Sequence, residues 1–391
     1  MPKNILTHYL FILAVSALVL CGAMAGLNYA ADPYGVWHYG RPGDWTKSRP
    51  RIRDVERLHK AHAVADARAD ALLLGNSRVI VGLDPRHPAL PAGTYNLGLN
   101  AANVYECWRY FQHAVHLHNP RLLLFAIDKI MFDAHLKPKG GFSEARLSVD
   151  AAMRPQPGWW RADLADTLFS LTAVGDSLLT LASRSKARVT YAGGMREEVL
   201  MKPYLKTANI FAENERWKAT AREFALADES GGNAQFDALR ATLRLCAAEK
   251  IDVILFTNPI HAELLDIEYG DGADFSAWLR RITAIVAEES AAGGREIPFW
   301  NFYGCNAITT EPFPDRDQPE STMQNYWEIS HYRKSVGDLV LARVLGAADP
   351  RLAALPDFGR RVTAQNVDGE LVRLAEDRTH WKQAALHSRA P

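Results

Sequence analysis

The sequence predicts an α/β fold: three layers, α/β/α, around a central parallel sheet, with an N-terminal transmembrane helix and a helical insertion. Three observations carry this. Short, nearly continuous apolar runs recur at 70–75 (DALLLG), 94–99 (TYNLGL), 121–128 (RLLLFAID), 251–258 (IDVILFTN) and 298–302 (PFWNF). Helix-periodic stretches at 103–117, 235–249 and 275–291 lie among them. Such strands, separated by helices, belong to a parallel sheet covered on both faces. Third, residues 9–27 form an apolar run without a charge.

In chain order, that run comes first. Roughly 19 residues at 1.5 Å rise nearly match the ~30 Å hydrocarbon core of a bilayer. Lys3 precedes it, which favours an N-in helix with the rest of the chain exported. Ala23-Met24-Ala25 and Tyr29-Ala30-Ala31 offer small-residue cleavage sites, so a signal peptide is the alternative reading. Residues 1–30 are thus an anchor or a signal segment. The first gives a single-pass inner-membrane protein with a periplasmic body, the second a secreted one. Leu20 stands before Cys21 where a lipoprotein signal wants a small residue.

The strands fall within 65–346, expected as one domain with a mostly helical insertion over about 134–232. That insertion contains Trp159, Trp160 and Trp217, read as core or lid packing ahead of a glycan platform. Residues 347–391 read as a tail with one short helix over 370–385.

Composition narrows the function classes. Hydrophobic residues make up 48% of the 391 and charged residues 23%, which excludes disorder along most of the chain. Lys+Arg and Asp+Glu each number 45, a balance without the basic footprint of a nucleic-acid binder. The four cysteines, Cys21, Cys107, Cys246 and Cys305, form no Cys-x-x-Cys pair. His113, His116 and His118 lack a carboxylate partner at a metal-ligand spacing, so no metal and no cofactor are expected.

The chemistry lies at strand ends, where open α/β sheets bind their ligands. After Leu72-Leu73-Leu74 comes Gly75-Asn76-Ser77-Arg78. The glycine permits a sharp turn, and Ser77 then opens a helical segment beside backbone N–H donors. Far downstream, Glu328-Ile329-Ser330-His331 precedes an amphipathic stretch at 336–345. An acid three residues before a histidine can orient the ring through one nitrogen, leaving the other to take a serine proton. A literal Gly175-Asp176-Ser177-Leu178 also occurs, but the pattern before it is helical, so Ser177 is read as a decoy.

These blocks resemble the SGNH (GDSL-type) hydrolase superfamily, specifically its membrane-anchored extracytoplasmic branch that includes envelope-glycan O-acyltransferases. Gly75-Asn76-Ser77 resembles the family's first block and implies Ser77 as nucleophile. Asn96-Leu97-Gly98-Leu99-Asn100-Ala101 resembles the second, placing an oxyanion-hole N–H on Ala101 where a second glycine is usual. Glu328-Ile329-Ser330-His331 resembles the last, with Glu328 in place of Asp and His331 as the base. The third block departs, since Asp128 stands where an amide donor is usual, and Asn258 after the fourth strand is the substitute. The resemblance implies a serine-dependent acyl-ester hydrolase or O-acyltransferase. It would act outside the inner membrane, on a cell-envelope glycan or lipid acceptor, through an acyl-enzyme on Ser77. It also implies an acyl donor and a membrane-bound acyl-supplying partner, and no nucleic acid. A non-catalytic binding or assembly partner of an envelope-modification system that keeps the same fold is the alternative.

Overall fold

The computed structural model describes residues 3–39, 46, 48–183, 191–196, 198–220 and 224–388. The chain divides into two compact units. One comprises Met1–Asp66 with Gly141–Thr190, the other Ala67–Gly140 with Tyr191–Pro391.

In the first unit, helix α1 (Lys3–Ala31) contains an apolar stretch, Ile5–Ala31, long enough to cross a membrane. Helix α2 (Glu56–Ala67) begins in this unit, and α5 (Leu164–Thr167) and α6 (Leu171–Ser183) complete it. Its interior combines a small apolar cluster, Tyr34, Val36, Leu58 and Ala173, with buried polar links. Asp163, almost fully buried, pairs with Arg146 at 2.7 Å and with His62 at 2.8 Å. The expected insertion over 134–232 is therefore divided, its middle packing with the N-terminal segment.

The second unit carries the sheet. Strands β1 (Ala71–Leu74), β2 (Thr94–Asn96) and β3 (Leu122–Ala126) precede a small antiparallel hairpin, β4 (Tyr191–Ala192) with β5 (Met195–Arg196). Strands β6 (Asp252–Phe256), β7 (Phe299–Asn301) and β8 (Arg360–Arg361) complete the main sheet, in the order β2-β1-β3-β6-β7-β8. The first five of these are parallel. The sixth is antiparallel, so the sheet is mixed where a wholly parallel one was expected. The reason lies after Gly346: β8 folds back onto β7, and α12 (Val367–Ser388) follows it. Helices α3 (Ser77–Gly82), α4 (Val104–His118), α7 (Thr207–Ala219), α8 (Ala234–Glu249), α9 (Ala262–Tyr269), α10 (Ala273–Gly293) and α11 (Lys334–Leu345) make up the helical layers.

The strands form as expected because all four β1 residues and the last four of β3 are buried, leaving no polar face to solvate. Asn103 starts α4 by accepting the Glu106 N–H, an ordinary helix cap. Register then sets the site. Leu74 pairs with Phe125, and Ala126 with Phe256. The segments leaving β1, β3 and β6 therefore emerge side by side, at the point where the strand order reverses. That crevice is where open sheets take ligands.

Candidate active site

Gly75 turns the chain out of β1 at φ +152°, where a Cβ would sit 2.9 Å from the Ala126 carbonyl oxygen. No other residue fits that approach. Asn76 caps α3, its side chain accepting the Arg78 N–H at 3.0 Å. Ser77 is the first helical residue and is half-buried, so its hydroxyl reaches the surface of the crevice. Among the described residues, neither the Ser77 N–H nor the Ala101 N–H has an acceptor within the protein.

His331 arrives on a tight loop. Tyr326 and Tyr332 bridge as an antiparallel pair, and the Trp327 N–H donates to the His331 carbonyl at 2.8 Å. The Tyr326 hydroxyl donates to Pro259 O at 3.0 Å, tying the loop to the segment after β6. Helix α11 follows and lies against α3 through two glycines. A Cβ on Gly337 would come within 1.8 Å of Gly82 O, and one on Gly82 within 2.0 Å of the Tyr332 ring. These glycines let the serine-bearing helix and the helix behind the histidine approach at backbone distance.

The result is a hydrogen-bonded series. His331 Nε2 lies 2.8 Å from Ser77 Oγ, and His331 Nδ1 bonds Glu328 Oε1. Glu328 is fully buried and also accepts the Ser330 N–H at 2.9 Å and the His331 N–H at 3.0 Å. Burial pushes its carboxyl up, but the His331 ring, the Ser330 N–H and the Arg78 charge outweigh this and hold it below the ordinary carboxylate value. An ionised Glu328 accepts a hydrogen bond from Nδ1–H, leaving Nε2 to accept the Ser77 O–H. The imidazole, 18% exposed, and the serine face solvent while the carboxylate does not.

No protein-family model matches this chain, and no curated protein matches it in sequence.

Beneath the series lies a buried ionic cluster that sequence reasoning missed. Arg78 is buried, its Nη1 2.8 Å from Asp128 Oδ2 as an ion pair lying off the line of a hydrogen bond. Its Nη2 donates to Glu268 at 3.0 Å and its Nε to Ser330 Oγ at 3.3 Å. Burial opposes the Arg78 charge, but Asp128 and Glu268 more than restore it. Burial raises the Glu268 carboxyl above its usual value even so. Asp128, where an amide donor was missing, accepts Asn76 Nδ2 at 2.8 Å and the Tyr303 hydroxyl at 3.1 Å. Arg78 thus connects the serine helix to the loop carrying His331.

Asn258 belongs to the same cluster. Its Nδ2 donates to Asp128 at 2.8 Å, its backbone N–H to Asp128 at 3.1 Å, and its Oδ1 accepts the Tyr332 hydroxyl at 2.8 Å. The amide foreseen as an oxyanion donor holds the site's floor together. Ala101 stands at φ +51°, the left-handed region that glycine favours. Ser177 lies inside α6, fully buried, with its hydroxyl donating to Asn28 at 2.8 Å. His113 is buried in α4 while His116 and His118 sit exposed in its last turn, so the three do not share one surface. Trp159 and Trp217 are half-buried and Trp160 is 41% exposed.

Proposed function

We propose that the protein is a serine-dependent acyl-ester hydrolase or O-acyltransferase of the SGNH type, held at the inner membrane by α1 with its body outside. The observation carrying this reading is the Ser77–His331–Glu328 series at the carboxyl ends of the strands, with only the serine and imidazole open to solvent. Ser77 Oγ attacks an acyl carbonyl while His331 Nε2 takes its proton. The imidazolium that forms is stabilised by buried Glu328. The negative oxygen of the tetrahedral intermediate is met by the Ser77 and Ala101 N–H groups, both without another acceptor among the described residues. Collapse expels the alcohol, which leaves with the proton from Nε2, and Ser77 carries the acyl group. Water then releases a carboxylic acid, or an acceptor hydroxyl receives the acyl group.

An envelope glycan is the acceptor class we favour, because α1 is long and apolar enough to tether the chain to a membrane. A fluorophosphonate probe applied to the purified full chain tests the reading. Wild type should label, and Ser77→Ala should lose labelling while keeping its circular dichroism. A wild type that is folded yet inert to the probe and to every aryl ester tried would sink the enzyme reading. The protein would then be better described as a binding partner with the same fold.

A further inference from the structure

Helix α6 is built inside out. The face it turns inward carries Ala173, Ser177, Thr180 and Ser183, all buried and mostly polar. The face it turns outward carries Leu171, Thr172, Gly175, Leu178, Leu179 and Ala182, without one charge. Leu171 is 82% exposed and Leu178 55%, and Phe169 just before the helix is 52% exposed. A helix on a water-facing surface shows the opposite pattern, with its apolar stripe against the core. Single exposed leucines need no explanation, but a continuous uncharged stripe of this kind marks a contact surface.

What covers it follows from where α6 is attached. It packs against the C-terminal end of α1, the helix long and apolar enough to cross a membrane. Asn28 of α1 donates to Leu168 O at 3.0 Å and Ser170 O at 3.3 Å, and accepts the Ser177 hydroxyl. Small and polar residues at the contact, with leucines outside, are how helices associate where the surroundings are lipid. The surface is thus continuous with that of α1.

Length sets the depth. The 27 residues from Ile5 to Ala31 extend about 40 Å at 1.5 Å per residue, beyond a hydrocarbon core of about 30 Å. The turns around Asn28 therefore lie at the boundary of the bilayer. The 13 residues of α6 reach only about 20 Å, too short to span. Trp160 precedes it, with the Arg161 guanidinium over its ring at 5.4 Å. Tryptophan and arginine are side chains that settle at the headgroup level.

We propose that the segment from Trp159 to Ser183 is a second membrane-seated element. Its helix α6 lies in the leaflet at the C-terminal end of α1, with Phe169, Leu171, Leu178 and Leu179 against lipid acyl chains and the exposed Arg161 and Asp166 at the headgroup level. The proposal rests on α1 being embedded and is independent of the serine chemistry. It makes the first unit a two-element footing rather than a single tether.

Two measurements on the full chain in phosphatidylethanolamine–phosphatidylglycerol vesicles test it. With Cys21→Ala as background, Leu178→Cys is compared with Arg154→Cys, whose parent side chain is 81% exposed in the same unit. A membrane-impermeant maleimide, read peptide by peptide, should modify the first roughly tenfold or more slowly, since thiol reaction requires aqueous access. Vesicles carrying a diazirine on the acyl chain should photolabel peptides of 159–183 as well as those of α1. Equal maleimide rates would overturn the proposal, as would a disulfide-linked dimer of Leu178→Cys, which assigns the face to a second copy. Photolabel on α1 alone would overturn it and leave the anchor standing. No label on α1 would remove the anchor and the proposal together.

Discussion

Ser77 and Ser177 each stand two residues after a glycine and directly after an Asx side chain. Around Ser77 that glycine turns the chain out of a buried strand, and the Asx residue caps the short helix that follows. Around Ser177 the same spacing lies wholly within a helix, where Gly175 has no neighbour within 4 Å of a Cβ and the serine donates to Asn28. One hydroxyl is half-exposed with an imidazole nitrogen at 2.8 Å, and the other is sealed. The difference teaches that a nucleophile motif is a property of the strand end beneath it. A few consecutive letters do not suffice, since the chemistry needs a turn to lift the serine and a distant loop to supply its base.

The sharpest way to break this comparison is to remove the base. His331→Ala should lower turnover of an aryl acetate by ~10²–10⁴-fold, the usual contribution of a general base. Glu328→Asp should cost up to about 10²-fold, because a carboxylate withdrawn by about 1 Å loses its alignment. If both variants match wild type, the Ser–His–Glu assignment fails. Next in size is the cluster below the site. Arg78→Met leaves Asp128 and Glu268 buried without their cation and should cost about 3–5 kcal/mol in denaturant unfolding. A loss below 1 kcal/mol would mean the cluster does little to hold the serine helix.

A pH series sharpens the comparison further. Glu328 has a folded value below its unfolded one, so the stability it contributes is fully present above the unfolded value of about 4.3. That contribution is lost as pH falls through the folded value. Glu328→Gln should therefore flatten the acid side of the stability curve, and unchanged acid sensitivity would show that the carboxylate is not held as described. The smallest effect belongs to the other serine. Ser177→Ala should leave activity unchanged and cost about 1–3 kcal/mol, the penalty of leaving the buried Asn28 acceptor without its donor. A loss of activity there would move the site.

The five parallel strands were legible because strands buried on both faces write themselves as short runs such as ALLL and LLLFA. The meeting of Ser77, His331 and Glu328 was legible because open sheets gather their strand ends at one crevice and an acid three residues before a histidine can reach its ring. Strand β8 was not, since Arg360-Arg361 has no apolar signature and pairs only at an edge. The role of Arg78 was also missed, although a signal existed. A carboxylate at Asp128, directly after a fully buried strand, needs a cation, and Arg78 sits directly after the serine in the segment leaving the next strand. The union of residues near Asn28 with α6 had no such signal, because it depends on pairing uncharged groups about 140 or more positions apart.

The hydrogen bond between Ser77 and His331 closes a span of 254 residues. Contacts of such separation are slow to form, because a long loop must be ordered before they give anything back. A chain emerging from its N-terminus would display its serine early and its imidazole only after more than four-fifths of its 391 residues. Until α11 docks and Gly337 meets Gly82, Ser77 is an ordinary alcohol. On the proposed serine chemistry, reactivity would thereby be deferred to the end of folding, and a product truncated before residue 331 would carry Ser77 without the imidazole that accepts its hydrogen bond.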